Sequence, residues 1–310
     1  MRLVFMGSPE FAIPTLEKIT SGNHILTGVV TVPDRQGGRG RKITESPVKR
    51  FAKRRHIPVL QPENLADQVF HDQLTAWKAD LYIVVGFRIL PAAVFSIPPK
   101  GCMNLHASLL PKYRGAAPVQ WAIIQGEHET GVTTFMIRKK VDTGDILLQR
   151  KTEIGENETG GELKDRLALM GAEIVMESIR LIELDRAHLK PQTGIPSPAP
   201  KLTQETARIN WKRSARDIHN LIRALSPKPG AYTFLGEKRL KILQSSVILN
   251  EISEPAAIVI DRNNQVKVGT GNGMIAIQSC QIEGKNRLDI NEFIRGFRIE
   301  SGMRFDRIEG

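Results

Sequence analysis

Asn104 and His106 stand two positions apart in an apolar run, "GCMNLHAS" (101–108), that leads into "LLPKYRG" (109–115). If that run is a strand, residues i and i+2 share a face, so an amide and an imidazole point the same way while Leu105 turns into the packing. An amide NH2 is a neutral donor suited to an oxygen that gains negative charge in a dry site. An imidazole accepts, donates or carries a proton near neutral pH. Further along, "KKVDTGDIL" (139–147) places Asp142 in a turn beside the flexible Gly144. A carboxylate there would orient the imidazole and balance its charge. No Ser or Cys stands beside His106 as a nucleophile, since Ser108 falls in what reads as a loop. The set therefore suits direct acyl transfer to an external amine, through a tetrahedral intermediate, rather than a covalent acyl-enzyme. The plainer alternative makes His106 a satisfied core histidine and Asn104 a cap for the following turn.

Such a set needs elements to carry it. "RLVFMG" (2–7), "HILTGVVTV" (24–32), "IPVLQ" (57–61), "DLYIVVGF" (80–87) and "GCMNLHAS" are apolar strand patterns. Helical patterns at 9–19, 47–55 and 63–77 fall between them. Continuous apolar strands alternating with helices predict an α/β, Rossmann-like, mostly parallel doubly wound sheet. Residues 130–137 and 145–154 read as an antiparallel pair, and 159–186 as one long helix. Ligands of such sheets bind at the carboxyl ends of the strands, where His106 falls. The first strand is followed by "GSPEF" rather than GxGxxG, and no Walker sequence occurs, which argues against NAD or FAD. Residues 186–205 hold four prolines and little periodicity and read as a linker. Beyond it, one amphipathic helix (214–225) and several short strands suggest a small OB-like β-barrel. The expected division is 1–185 catalytic, 186–205 linker and 206–310 barrel.

Composition is that of a globular protein, with 41% apolar and 25% charged residues. No apolar run approaches a membrane span, and "MRLVFMG" enters a strand directly, without a signal or transit pattern. Cys102 and Cys280 form no pair or metal cluster. A cytoplasmic, metal-free and, by default, monomeric protein is expected. The net charge of +11 is concentrated, because residues 35–55 carry nine Lys/Arg against one acid. Residues 205–310 add 17 basic against 12 acidic residues. A charge run is most often a solvated face, but two basic regions raise the odds of a polyanionic partner such as nucleic acid.

"NLHASLLPKYRG" with "DTGDIL" downstream resembles the folate-dependent formyltransferases, whose signature is N-x-H, S-L-L-P and a later D-x-G. "FMGSPEFA", "PDRQGGRGRK", "SPVK", "GAAPVQWAI", "ARINW" and "IRALSPKPGAYT" extend the resemblance nearly end to end. They narrow it to members whose acceptor is methionyl initiator tRNA. "VVGFRILP" (84–91) departs from the Ala-Tyr-Gly-type segment of many members. The resemblance implies formyl transfer from 10-formyltetrahydrofolate to the α-amino group of methionine on initiator tRNA. It implies that Asn104 and His106 bind the formyl oxygen and that Asp142 pairs with His106. Ser108, Leu109, Leu110, Pro111, Phe87, Arg88, Ile89, Leu90 and Gly144 would hold the folate. Phe11, Arg39, Arg41 and Lys42 would meet the aminoacyl end of the tRNA. Competing readings are a formyltransferase for a small amine (glycinamide ribonucleotide or an amino sugar), a 10-formyltetrahydrofolate hydrolase, and an RNA-binding protein with a silent site.

Overall fold

The computed structural model describes residues 1–37, 42–297 and 299–306. Up to residue 199 the chain forms β1 (Arg2–Gly7), α1 (Ile13–Ser21), β2 (Ile25–Val30), β3 (Arg35–Gly37), β4 (Lys42–Thr44), α2 (Pro47–Arg54) and β5 (Val59–Leu60). Next come α3 (Gln68–Ala76), β6 (Leu81–Val85), α4 (Ala92–Phe95), β7 (Cys102–His106), β8 (Arg114–Gly115), α5 (Pro118–Ile124), β9 (Glu129–Met136), β10 (Ile146–Glu153), α6 (Gly160–Glu183) and β11 (Pro198–Ala199). The chain packs as two compact units. Met1–Pro118, Glu129–Glu153 and Lys164–Ala199 make the first, and Val119–His128, Ile154–Leu163 and Pro200–Gly310 the second.

The first unit is built on a seven-stranded sheet in the order β5-β2-β1-β6-β7-β9-β10. Its five strands from β5 to β7 run parallel, and β9 and β10 add antiparallel partners at the other edge. Strands covered on both faces must be apolar throughout. Every residue of β6 is accordingly buried, and only Arg2 of β1 is exposed. The helix starts follow local capping chemistry. Ser46 accepts from Lys49 N, with Pro47 at the first helical position of α2. The helical pattern at 63–77 begins five residues later than its periodicity predicts. Asn64 accepts from Ala66 N, folding 64–66 into a turn, and Asp67 caps α3 by accepting from Val69 N.

Residues 186–199, expected from their prolines to be linker, are part of the first unit. Pro198 and Ala199 pair with Arg114 and Gly115, and Ser197 Oγ accepts from Tyr113 N at 2.9 Å. Their prolines break periodicity without making the segment free, because its hydrogen bonds go to distant backbone rather than to a ladder of its own.

In the second unit α7 (Gln204–Ala207) and α8 (Ala215–Leu225) precede a small, barrel-like antiparallel domain. Its strands are β12 (Ala231–Leu235), β13 (Lys238–Ile248), β14 (Ile258–Ile260), β15 (Val266–Gly269), β16 (Met274–Ile282) and β17 (Leu288–Asp289), followed by α9 (Ile290–Gly296). Ile218, Ile222 and Leu225 recur at helical spacing on α8 and share one core with Ile242, Val268 and Ile275. Trp211 stacks on Phe305 at 5.4 Å and donates its Nε1–H to Thr233 Oγ1 at 3.0 Å.

His219 of α8 is buried, with Nδ1 3.1 Å from Ser245 Oγ. Burial, and then the nearby Arg223 cation, hold its pKa below the ordinary 6.5. The folded state binds this proton less readily than the unfolded chain. The stabilisation is therefore complete above about pH 6.5 and is lost as pH falls toward the depressed folded value. Between pH 7.5 and pH 5.5 the urea midpoint of the wild-type protein should drop further than that of His219→Gln. Equal drops would contradict this.

Candidate active site

β7 sets the first side chains. Asn104 pairs in register with Val84 of β6 and Phe135 of β9, and His106, its last residue, pairs with Thr133. The two share a face at the carboxyl end of the sheet, while Leu105 is buried with the core. The Asn104 side chain is partly exposed, and among the described residues its carboxamide makes no hydrogen bond. It is free to donate.

His106 is buried, and its Nε2 lies 2.8 Å from the carbonyl oxygen of Tyr113. A carbonyl only accepts, so Nε2 carries a proton and donates it. Nδ1 is the nitrogen left to act, and it lies 3.9 Å from Asp142 Oδ2. That is ion-pair range rather than a hydrogen bond. The carboxylate accepts instead from Gly115 N at 2.9 Å. Asp142 thus faces the imidazole from a fixed position, with its side chain only 12% exposed. Gly144, in the same turn, has no room for any side chain, because a Cβ would fall 1.6 Å from the carbonyl oxygen of Met136.

The loop after β7 is fastened by Ser108 from within the motif and by Thr133 and Gln149 from outside it. Ser108 Oγ donates to the Lys112 carbonyl at 2.6 Å, and Thr133 Oγ1 donates to the Ser108 carbonyl at 2.6 Å. Leu110 N donates to Thr133 Oγ1 at 3.2 Å, and Gln149 Nε2 donates to the Leu110 carbonyl at 2.8 Å. Ser108 and Leu110 are buried, while Leu109 and Pro111 are half-buried. The side chains of Ser108 and Leu110 therefore serve the loop, and a ligand would meet its backbone with Leu109 and Pro111. Tyr113, Thr133 and Gln149 escape a reading of the sequence. Thr133 and Gln149 act through hydrogen bonds to distant backbone, and Tyr113 through its own backbone carbonyl and N–H, none of which leaves a spacing to read.

Phe87–Leu90 follow β6, the strand beside β7, and so end at the same edge of the sheet. Leu90 is buried, Ile89 is exposed, and the Arg88 guanidinium donates to the carbonyls of Pro62 and Glu63 at 2.6 and 2.9 Å. Burial, and then Arg35, pull the Arg88 pKa below arginine's usual value. Its Nε is buried without a hydrogen-bond partner among the described residues. Phe11 is buried in the single helical turn Glu10–Ala12 that follows β1. Arg39 and Arg41 lie outside the described residues, and of Lys42 only the backbone, in β4, is described. The basic run is partly neutralised locally: Lys49 pairs with Asp34, Lys53 with Glu45, and Arg50 with Glu10 at 2.9 Å.

Burial pushes both thiols up, Cys280 to about 12 with Asp289 adding to the shift, so neither cysteine offers a thiolate nucleophile. Among the described residues no group of three or more His, Cys, Asp or Glu could hold a metal ion. The site is a donor amide, an imidazole with one committed nitrogen, and a fixed carboxylate, an arrangement suited to moving a proton while holding a developing oxyanion.

Comparison with known proteins gives the context. Residues 1–179 match the family model described as "Formyl transferase", and residues 201–298 match "Formyl transferase, C-terminal domain". A relative from Pelotomaculum thermopropionicum named methionyl-tRNA formyltransferase is 44% identical over 306 residues, 98% of each chain. The N-formyltransferase of Helicobacter canadensis, solved with folinic acid and dTDP-3-aminofucose, superposes with a TM-score of 0.66 at 23% identity, covering 89% of this chain and 97% of that one. HypX from Aquifex aeolicus, solved with tetrahydrofolic acid, gives 0.67 at 19% identity, and the match covers 95% of this chain but only 47% of HypX.

The turn makes a direct test of the geometry. Gly144→Ala should lower stability by at least about 1–3 kcal/mol, the range for forcing atoms into a packed site. A wild-type urea midpoint for this variant would contradict the packing described.

Proposed function

The chain belongs to the formyl transferase family, and from that premise we propose that it transfers a formyl group from 10-formyltetrahydrofolate to the α-amino group of methionine esterified to initiator tRNA. One observation carries the choice of acceptor: 44% identity with the Pelotomaculum protein spans 98% of both chains. The second unit does not decide it alone, since the sugar-complexed Helicobacter enzyme aligns over 89% of this chain as well. A substrate used in translation supports a cytoplasmic location.

The donor set fits a folate. Two loops end at neighbouring strands, 86–91 after β6 and 107–113 after β7, and offer backbone and half-buried apolar groups. The buried Nε of Arg88 adds an unsatisfied donor in the first loop. When bound, the folate supplies the activated formyl group. Asn104 donates to the formyl oxygen as it gains charge. His106 keeps Nε2–H on the Tyr113 carbonyl and turns Nδ1 to the same oxygen, donating as imidazolium with Asp142 balancing the charge. Asp142 takes up the proton that the amine releases and returns it to the folate nitrogen as the formyl C–N bond of the donor breaks, so that tetrahydrofolate leaves neutral at that nitrogen. Catalytic hydrogen bonds shorten once substrate closes the site, which brings the 3.9 Å separation within use. An α-amino group with a pKa of about 8 needs little activation, so positioning matters more than strong base chemistry.

Asn104→Ala should cut kcat by about 10²–10³, the usual cost of an oxyanion donor, while tRNA binding stays intact. Near-normal turnover would remove Asn104 from the mechanism.

The tRNA reading has its own test in "GGRGRK" (37–42). Replacing Arg39, Arg41 and Lys42 with Ala should lower kcat/KM for charged initiator tRNA by orders of magnitude. It should also flatten the salt dependence by about 0.9 log unit for each phosphate that the variant no longer neutralises. Unchanged kcat/KM and salt slope would return small amines to contention.

A further inference from the structure

Asp142 occupies the left-handed region at φ 50°, which a non-glycine residue keeps only where neighbours fix it. The neighbour that does so is remote in sequence. Gln192 Nε2 donates to the carbonyls of both Asp142 and Gly144, at 2.9 Å each. Its Oε1 accepts from Arg114 Nη2 at 2.6 Å and Nε at 3.2 Å. Chemistry leaves the amide one orientation: two carbonyls can only accept and a guanidinium can only donate, so nitrogen faces the turn and oxygen faces the arginine. Arg114 adjoins Gly115, whose N–H holds the Asp142 carboxylate. The pairing of β8 with β11 brings the segment carrying Gln192 alongside. Asp142 is thus held by its backbone from Gln192 and by its side chain from Gly115.

We propose that Gln192 is a positioning residue for Asp142, and that Arg114 acts by orienting the Gln192 amide. The proposal rests on the reading of Asp142 as part of the reacting set. A glutamate at 192 is nearly isosteric and would pair more strongly with Arg114, but it would turn an acceptor toward two carbonyl oxygens. It separates anchoring of the segment from placement of the turn. A misplaced group of this kind costs about 10–100-fold in rate.

The test compares Gln192→Glu, Asp142→Asn and the double variant in formyl transfer, with the urea midpoint as a folding control. Gln192→Glu should fold and lose kcat about 10–100-fold, with KM for 10-formyltetrahydrofolate within about threefold of wild type. In the Asp142→Asn background the same change should add nothing, because it acts through the group already removed. Should Gln192→Glu fail to fold, Gln192→Ala is read against the same two criteria. Wild-type kcat in the Gln192 variant, or losses that multiply in the double variant, would overturn the proposal. A silent Gln192 variant beside a strongly impaired Asp142→Asn removes only Gln192. An unimpaired Asp142→Asn removes the reading of Asp142 and the proposal with it.

Discussion

The hydrogen bond from His106 Nε2 to the Tyr113 carbonyl, 2.8 Å long, decides what the imidazole can do. It spends one ring proton on backbone and so fixes both the plane of the ring and the nitrogen that remains. That bond exists because the chain turns back on itself after β7, and Ser108 and Thr133 close the turn from within. Tyr113 is held in turn by Ser197, and Gly115, two residues on, holds Asp142. Loss of the turn would release the ring and the carboxylate together.

This organisation puts Asn104 and His106 at a strand end and Asp142 on a turn that other segments must hold. β7 lies between a parallel and an antiparallel neighbour, so Asn104 is paired on both sides and His106 is paired to Thr133 of β9. The Asp142 turn lies outside the sheet and has no such ladder. Its conformation is imposed by Gln192, Gly115 and the close approach of Gly144 to Met136, three interactions from three parts of the chain. A preorganised site needs such redundancy, because groups that must reorient during reaction lose much of the benefit of being charged or dipolar.

The parallel sheet, the two antiparallel strands and the pair Asn104 and His106 were legible because each rests on a short period in the sequence. Asp142 was legible from a turn sequence between two strands, as Gly144 was from the same motif. Gln149, Thr133 and Gln192 were not, since each works through hydrogen bonds to backbone far along the chain. The prolines of 186–205 suggested a linker, yet residues up to 199 carry the pairing of β11 and the bonds of Ser197. Proline breaks local periodicity and says nothing about tertiary hydrogen bonds. Ser108 was assigned to ligand as part of a motif, whereas its hydroxyl donates to the Lys112 carbonyl and its side chain is buried. The charge of residues 35–55 was legible as a total, but the pairing of Lys49, Arg50 and Lys53 with Asp34, Glu10 and Glu45 was not, because two of those acids lie outside the run.

In the proposed mechanism His106 acts through Nδ1, because its Nε2–H is committed to the Tyr113 carbonyl. Nitrogen-15 NMR of histidine-labelled protein, with His106→Gln used to assign the ring, reads this without any substrate. In the neutral ring Nε2 of His106 should be the protonated nitrogen and Nδ1 the bare one. A neutral ring protonated on Nδ1, with Nε2 bare, would contradict it.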